Sequence, residues 1–142
     1  MAYPLSGIRV VEVRSGIAVA CAGMLLRDVG AEVVKVEPPQ GDATRPLPGS
    51  RVWNRGKRSV VLDESDPRFL QLLESADVVV VGGSGRPDWQ WRPGEGQIVC
   101  YAPPYADVDP YRRLPESLFD SLCFLYAVLL RRRQLAAVVE PR

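Results

Sequence analysis

The apolar residues of this chain fall into short β-branched runs that alternate with helically spaced positions. Gly7 to Val13 reads as a short buried strand, and Ser15-Gly16 turns it into a helical pattern. Ile17, Cys21, Met24 and Leu25 recur at i, i+4, i+7 and i+8, which sets them on one helix face, and Gly30 supplies the stop. Ala31 to Glu37 is a second strand, closed by Pro38-Pro39, so the chain opens with a β-α-β unit whose crossover is right-handed. Gln40 to Arg55 reads as a loop and Lys57 to Asp63 as a third strand. Ser65-Asp66-Pro67 is a helix start, with Phe69, Leu70, Leu72 and Leu73 as its apolar face. Val78 to Val81 is apolar at every position, as expected of a central parallel strand covered on both sides. Gly82 to Gly96 is irregular, Gln97 to Ala102 is a fifth strand, and Pro103 to Pro115 is a Pro-rich loop. From Glu116 to about Val139 runs the longest helical pattern. Its rows Leu118, Leu122, Leu125, Leu129 and Phe119, Cys123, Tyr126, Leu130 make a face wide enough to be buried from several sides. Strands alternating with helices predict a three-layer α/β fold with a mostly parallel sheet that ends in this long apolar helix.

A length of 142 residues fits one domain with a real core, and 46% hydrophobic against 25% charged residues argues against global disorder. A net charge of +1 argues against a nucleic-acid partner. The N-terminus shows no signal-peptide pattern, and the last apolar run is shorter than the roughly 20 residues that span a bilayer, so no membrane partner is expected. Cys21, Cys100 and Cys123 are odd in number, lack zinc spacing and sit in apolar runs, which reads as buried reduced thiols in a cytoplasmic protein. The absence of histidine removes imidazole acid–base chemistry, Ser-His and Cys-His pairs and imidazole metal sites. Catalysis would have to run on carboxylates, amines, hydroxyls or backbone dipoles, and no metal is expected.

Several segments invite a functional reading. Gly56-Lys57-Arg58-Ser59 resembles the end of a phosphate-binding loop, but Gly49 is one residue too far upstream, Arg58 interrupts Lys-Ser and a strand follows. Gly82-Gly83-Ser84-Gly85 follows a strand and offers backbone N–H groups to an anion; a surface loop is the first reading and ligand contact the second. Trp89-Gln90-Trp91 reads first as cover for the sheet edge and second as a stacking platform. Asp120 lies within an apolar helical pattern, where burial would raise its pKa; a structural role comes first and acid–base work second. Arg131-Arg132-Arg133 suits a solvated helix C-terminus.

Taken in order, the blocks resemble the family III CoA-transferases, also called the CaiB/BaiF family, which includes formyl-CoA transferase, carnitine CoA-transferase and α-methylacyl-CoA racemase. Leu5 to Glu12 matches L-x-G-I-x-V-x-[ED], and Ala22-Gly23 through Gly30-Ala31 to Glu37 matches the next block. Pro38 to Arg45 follows P-P-x-G-D-x-x-R with its glycine pair shortened. Asn54 to Asp63 matches N-x-x-K-R-S-x-x-L-D in full, and Ala76 to Val80 matches A-D-V-[VL]-[VI]. A weaker match runs to Asp109-Pro110-Tyr111-Arg112 and Phe119-Asp120.

The resemblance implies a Rossmann-like CoA-binding domain and interlocked chains. It also implies transfer of CoA from an acyl thioester to a carboxylate, through attack of an aspartate on the thioester carbonyl. The family's nucleophile lies in a later motif, so the chain is expected to be a single N-terminal-like domain over 1–142, lacking the C-terminal half, with Asp120 only an auxiliary candidate. The positions that match the family's CoA pocket are Ile17, Ala18, Pro38, Leu62, Asp63, Glu64, Ser65, Gly82, Gly83 and Ser84, with Arg86 nearby. Ligand-facing positions drift: Val19-Ala20 stands for a Gly-Pro pair, Gly82-Gly83-Ser84 for an Asn-aromatic loop, and Phe119 for the racemase histidine. Lys57 and Arg58 are expected to hold the loop after the second strand through Asp42 or Glu37.

The resulting expectation is a CoA- or acyl-CoA-binding chain. It would be a homo-oligomer, or a hetero-oligomer with a CoA-transferase chain that supplies the nucleophile. A non-catalytic regulatory or interaction subunit is the alternative, and a truncated remnant persisting by self-association comes third.

Overall fold

The computed structural model describes residues 3–14, 16–83 and 87–103. The chain divides into two compact units, Met1–Pro104 and Tyr105–Arg142, and every described residue lies in the first. The expected long helix from Glu116, with Asp120, Cys123 and the arginine triplet, falls outside the described residues.

Among the described residues five strands, β1 (Arg9–Val13), β2 (Glu32–Glu37), β3 (Arg58–Val61), β4 (Val78–Val81) and β5 (Ile98–Tyr101), form one sheet in the order β3-β2-β1-β4-β5. Every pairing is parallel; Val11 stands opposite Val34 of β2 and Val79 of β4. Because side chains alternate across a strand, the valine runs feed both faces. One face packs Val11, Val13, Val36, Val79 and Val81 against Leu62, Phe69 and Leu73. The other packs Val10, Val33 and Val80 against Val19 and Ala31. Phe69 and Leu73 are fully buried, each contributing about 1.5–3 kcal/mol relative to exposure.

Among the described residues three helices connect the strands: α1 (Ile17–Asp28), α2 (Ser50–Trp53) and α3 (Pro67–Glu74). In α3 the expected start holds: the Asp66 side chain accepts from the Arg68 N–H at 2.9 Å, and Pro67 opens the first turn. Helix α1 ends at Asp28, and Gly30 takes a φ of +105° that a side chain would strain.

Three expectations need correction. The buried face of α1 is Val19, Ala20 and Gly23 rather than Ile17, Cys21, Met24 and Leu25; Leu25 is 61% exposed. Small residues win because the helix lies directly on charged side chains rising from the sheet. The loop from Gln40 to Arg55 contains the single turn α2, too short for its four residues to show a helical period. Cys100 is exposed, because β5 is an edge strand whose Ile98 and Cys100 lie on the same uncovered face among the described residues.

No described helix is long and apolar enough to cross a membrane.

Candidate functional site

Strand order reverses at β1, whose neighbours β2 and β4 are reached by crossovers running in opposite directions. In open parallel sheets such a point leaves a crevice beyond the carboxyl ends of the strands. The residues that leave those ends are Arg14 and Gly16 from β1, Pro38 onward from β2, Leu62 to Asp66 from β3 and Gly82-Gly83 from β4. Backbone bonds extend the ladder into them: the Gly82 N–H donates to the Val13 carbonyl at 3.0 Å and the Leu62 N–H to the Glu37 carbonyl at 2.9 Å.

Those of the residues expected to face a ligand that are described therefore lie along one edge of the sheet. Ile17 and Ala18 form the first turn of α1, half-buried and exposed respectively, and Gly16 before them gives no side-chain cap. Pro38 is half-buried; Asp63, Glu64 and Ser65 are exposed. Gly82 is buried and Gly83 half-buried with φ +77°. Leu62 is a core residue, so only its backbone faces outward. Asp63 is turned inward on its own loop, accepting from the Ser65 N–H at 2.9 Å and the Ser65 hydroxyl at 2.6 Å. Ser84 and Arg86 lie outside the described residues.

At this edge stands a cluster that crosses between loops. Arg14, next after β1, donates to Glu64 through Nε at 2.9 Å and Nη2 at 3.0 Å. Trp89 Nε1 donates to the same carboxylate at 2.7 Å, and the Arg14 guanidinium lies 5.4 Å from the Trp89 ring centroid. Trp89 in turn meets the Phe69 ring edge-on, centroids 5.0 Å apart. Burial on its own would raise the Glu64 pKa, but the Arg14 and Trp89 hydrogen bonds outweigh it and bring the carboxyl below its usual value. The hydrogen bond from Arg14 to Glu64 likewise raises the Arg14 pKa. Sequence reading missed Arg14; its signal is a cation set directly after a β-branched strand. Trp89 does more than cover apolar surface, since its indole N–H joins the charged pair.

Beneath α1 lies a buried chain of alternating charge. Lys57 Nζ donates to Glu12 Oε2 at 2.6 Å and to the Ala20 carbonyl at 2.7 Å. Lys35 Nζ donates to Glu12 Oε1 at 3.0 Å and pairs with Asp42, whose Oδ1 accepts from the Thr44 N–H and hydroxyl at 2.6 and 2.7 Å. Burial lowers the Lys57 pKa, and its hydrogen bond to Glu12 only partly opposes that. Burial also pulls on Lys35, but Glu12 and Asp42 outweigh it and its pKa rises. Against the same desolvation, Lys35 and Thr44 hold Asp42 down at about 2.

A Cβ on Gly23 would sit 2.3 Å from Glu12 Oε2, so α1 approaches this chain only because residue 23 has no side chain. The roles expected of Lys57 and Arg58 are thereby corrected. Lys35 holds Asp42, and Arg45 holds Glu37 at 2.7 and 3.0 Å. Lys57 instead ties β3 to β1 and α1, while Arg58 is exposed. Two cations and two carboxylates buried in mutual contact hold a scaffold in place and offer no open face to a substrate. Among the described residues no cluster of three or more His, Cys, Asp or Glu side chains is arranged to hold a metal ion.

The family model for CoA-transferase family III matches residues 5–87, which span β1 to β4 and the segments that leave their carboxyl ends as far as residue 87, short of Trp89. A probable fatty acyl-CoA transferase of Mycobacterium tuberculosis is 40% identical over 94 residues, covering 56% of this chain and 24% of that protein. The succinate–glutarate CoA-transferase of Agrobacterium fabrum is 41% identical over 97 residues, covering 54% of this chain and 24% of the relative. Among solved structures, a CaiB/BaiF family protein from Brucella suis superposes with a TM-score of 0.51 at 34% identity, over 58% of this chain and 26% of that one. The chain thus spans about a quarter of the length of the curated relatives it matches.

Proposed function

This chain belongs to CoA-transferase family III, and from that premise we propose that it binds CoA or an acyl-CoA thioester in the crevice at the carboxyl edge of its sheet. The observation that carries the reading is the span of the family match, residues 5–87, which takes in the strand-order reversal and the loops that leave it. The ligand's phosphates meet the uncapped first turn of α1 and the backbone N–H groups at Gly82-Gly83, since both kinds of site favour anions. Ile17, Ala18 and Pro38 supply apolar surface, and the backbone of Leu62 to Ser65 closes the far side.

Transfer of CoA to a carboxylate needs a nucleophilic carboxylate that attacks the thioester carbonyl and expels the CoA thiolate, leaving an acyl anhydride. Among the described residues, Asp63, Glu64 and Asp66 at this edge are engaged in loop hydrogen bonds or ion pairs, so none of the three is poised as that nucleophile. In this reading the nucleophilic aspartate is supplied by a CoA-transferase chain, with which this one acts as an oligomer in the cytoplasm. A second reading, a non-catalytic regulatory or interaction subunit, is favoured by the same engagement of Arg14, Arg45 and Arg68 with carboxylates, which leaves a polyphosphate few ready cations among the described residues of this edge.

Titration calorimetry of the 142-residue chain with CoA and acetyl-CoA tests the ligand: saturable heat with both is expected, and silence at millimolar ligand would sink the proposal.

A further inference from the structure

Arg14 is the one non-glycine residue with a positive φ among the described residues, at 60°. Side chains rarely adopt that conformation, and where it persists the surroundings must hold it. Here it falls on the first residue past the central strand, at the reversal of strand order. The guanidinium that leaves this point crosses from the β1 loop to the β3 loop and lies against Trp89 of the loop after β4. The other arginines paired with carboxylates near this edge differ in setting. Arg68 pairs with Asp66, two residues away within its own helix cap, and Arg45 closes the β2 loop on Glu37 with most of its side chain in solvent. Among the described residues Arg14 alone bridges loops around the crevice, and its side chain is only 28% exposed.

The acid that holds it stands in a negative stretch. Asp63, Glu64 and Asp66 share the β3 loop, and Asp88 is near enough to act on Arg14. A polyphosphate entering here meets carboxylates first, unless Arg14 changes partner. Glu64 is 38% exposed, so its carboxylate can turn to water once released. Besides its bond to Glu64, Trp89 has its edge contact with Phe69.

We propose that Arg14 is a ligand-phosphate contact held in reserve by Glu64: in the free chain the Arg14–Glu64–Trp89 cluster latches the crevice, and an entering phosphate takes Arg14 from Glu64. The inference rests on the reading of this crevice as a CoA site, and it assigns to Arg14 and Glu64 the control of affinity there.

The test compares the 142-residue chain with its Glu64→Gln, Arg14→Gln and Trp89→Phe variants, using CoA and, separately, inorganic pyrophosphate in calorimetry. Glu64→Gln keeps the shape of the latch but removes the competing charge, and should bind CoA about three- to tenfold more tightly. Arg14→Gln should bind more weakly by a similar factor and with a flatter dependence on salt. Ligand should change the tryptophan emission of the parent chain, and Trp89→Phe should abolish most of that change.

An ion pair that serves only stability would lower the melting temperature in both charge variants and leave CoA affinity equal or weaker in Glu64→Gln; that result overturns the latch. If no variant binds CoA but Glu64→Gln binds pyrophosphate more tightly than the parent, the latch stands and the CoA reading falls. Equal pyrophosphate binding in that case, or silence with both ligands throughout, overturns the latch as well.

Discussion

Lys57 shows what a single side chain decides in this protein. Its side chain is 2% exposed and answers Glu12 from 45 positions away in sequence, under a helix that fits only because residue 23 is glycine. Removing one member of a buried ion pair leaves an uncompensated charge, so Lys57→Met should lower the unfolding free energy by about 3–5 kcal/mol. Urea titration followed by circular dichroism would check this, and adding Glu12→Gln should restore part of the loss. A midpoint unmoved by Lys57→Met would show that the charge chain holds nothing. The sequence displays Glu12 inside a valine strand and Lys35 inside another, which marks both as unusual. It cannot say that Lys57 completes their balance, because the pairing depends on parallel register and on the depth at which α1 sits. Arg14 and Glu64 are of the same kind: each is visible, and their contact is not.

The local elements follow from local rules wherever the signal is local. Asp66-Pro67 announces the start of α3 through capping chemistry that needs no tertiary partner. Asp66→Ala should therefore cost about 1 kcal/mol, read as a lower urea midpoint with little change in the folded spectrum; no loss would mean that packing of Phe69 and Leu73 alone fixes the helix. The four-valine strand β4 lies where its pattern put it, between β1 and β5. Helix α1 behaves differently. Its period marks one apolar face, while the face buried is the one small enough to rest on Glu12 and Lys57. Size at the contact outranks hydrophobicity when the surface below is charged and close.

For the folded unit as a whole, the charge chain predicts a sensitivity to acid. Asp42 is held at about 2 against its usual 3.8, so the unfolded chain takes up a proton before the folded one does. Its contribution is complete above the unfolded value and disappears as pH falls through about 2, amounting to roughly 2 kcal/mol. Urea midpoints measured from about pH 6 down to about pH 2 should fall across that window, and Asp42→Asn should flatten this part of the fall; a parent profile flat through it would contradict the pairing with Lys35. Taken alone, the sequence determined the alternation of strands and helices, the parallel sheet and the kinship with CoA-transferases. Each of these is written in local spacing, in strand runs covered on both faces, or in an ordered set of short blocks. Only the tertiary structure decided which charges neutralise one another, which face of α1 is buried, and that Arg14, Glu64 and Trp89 meet at the reversal of strand order. Contacts between residues tens of positions apart are set by register and by the depth of packing, and neither quantity is encoded in any one segment.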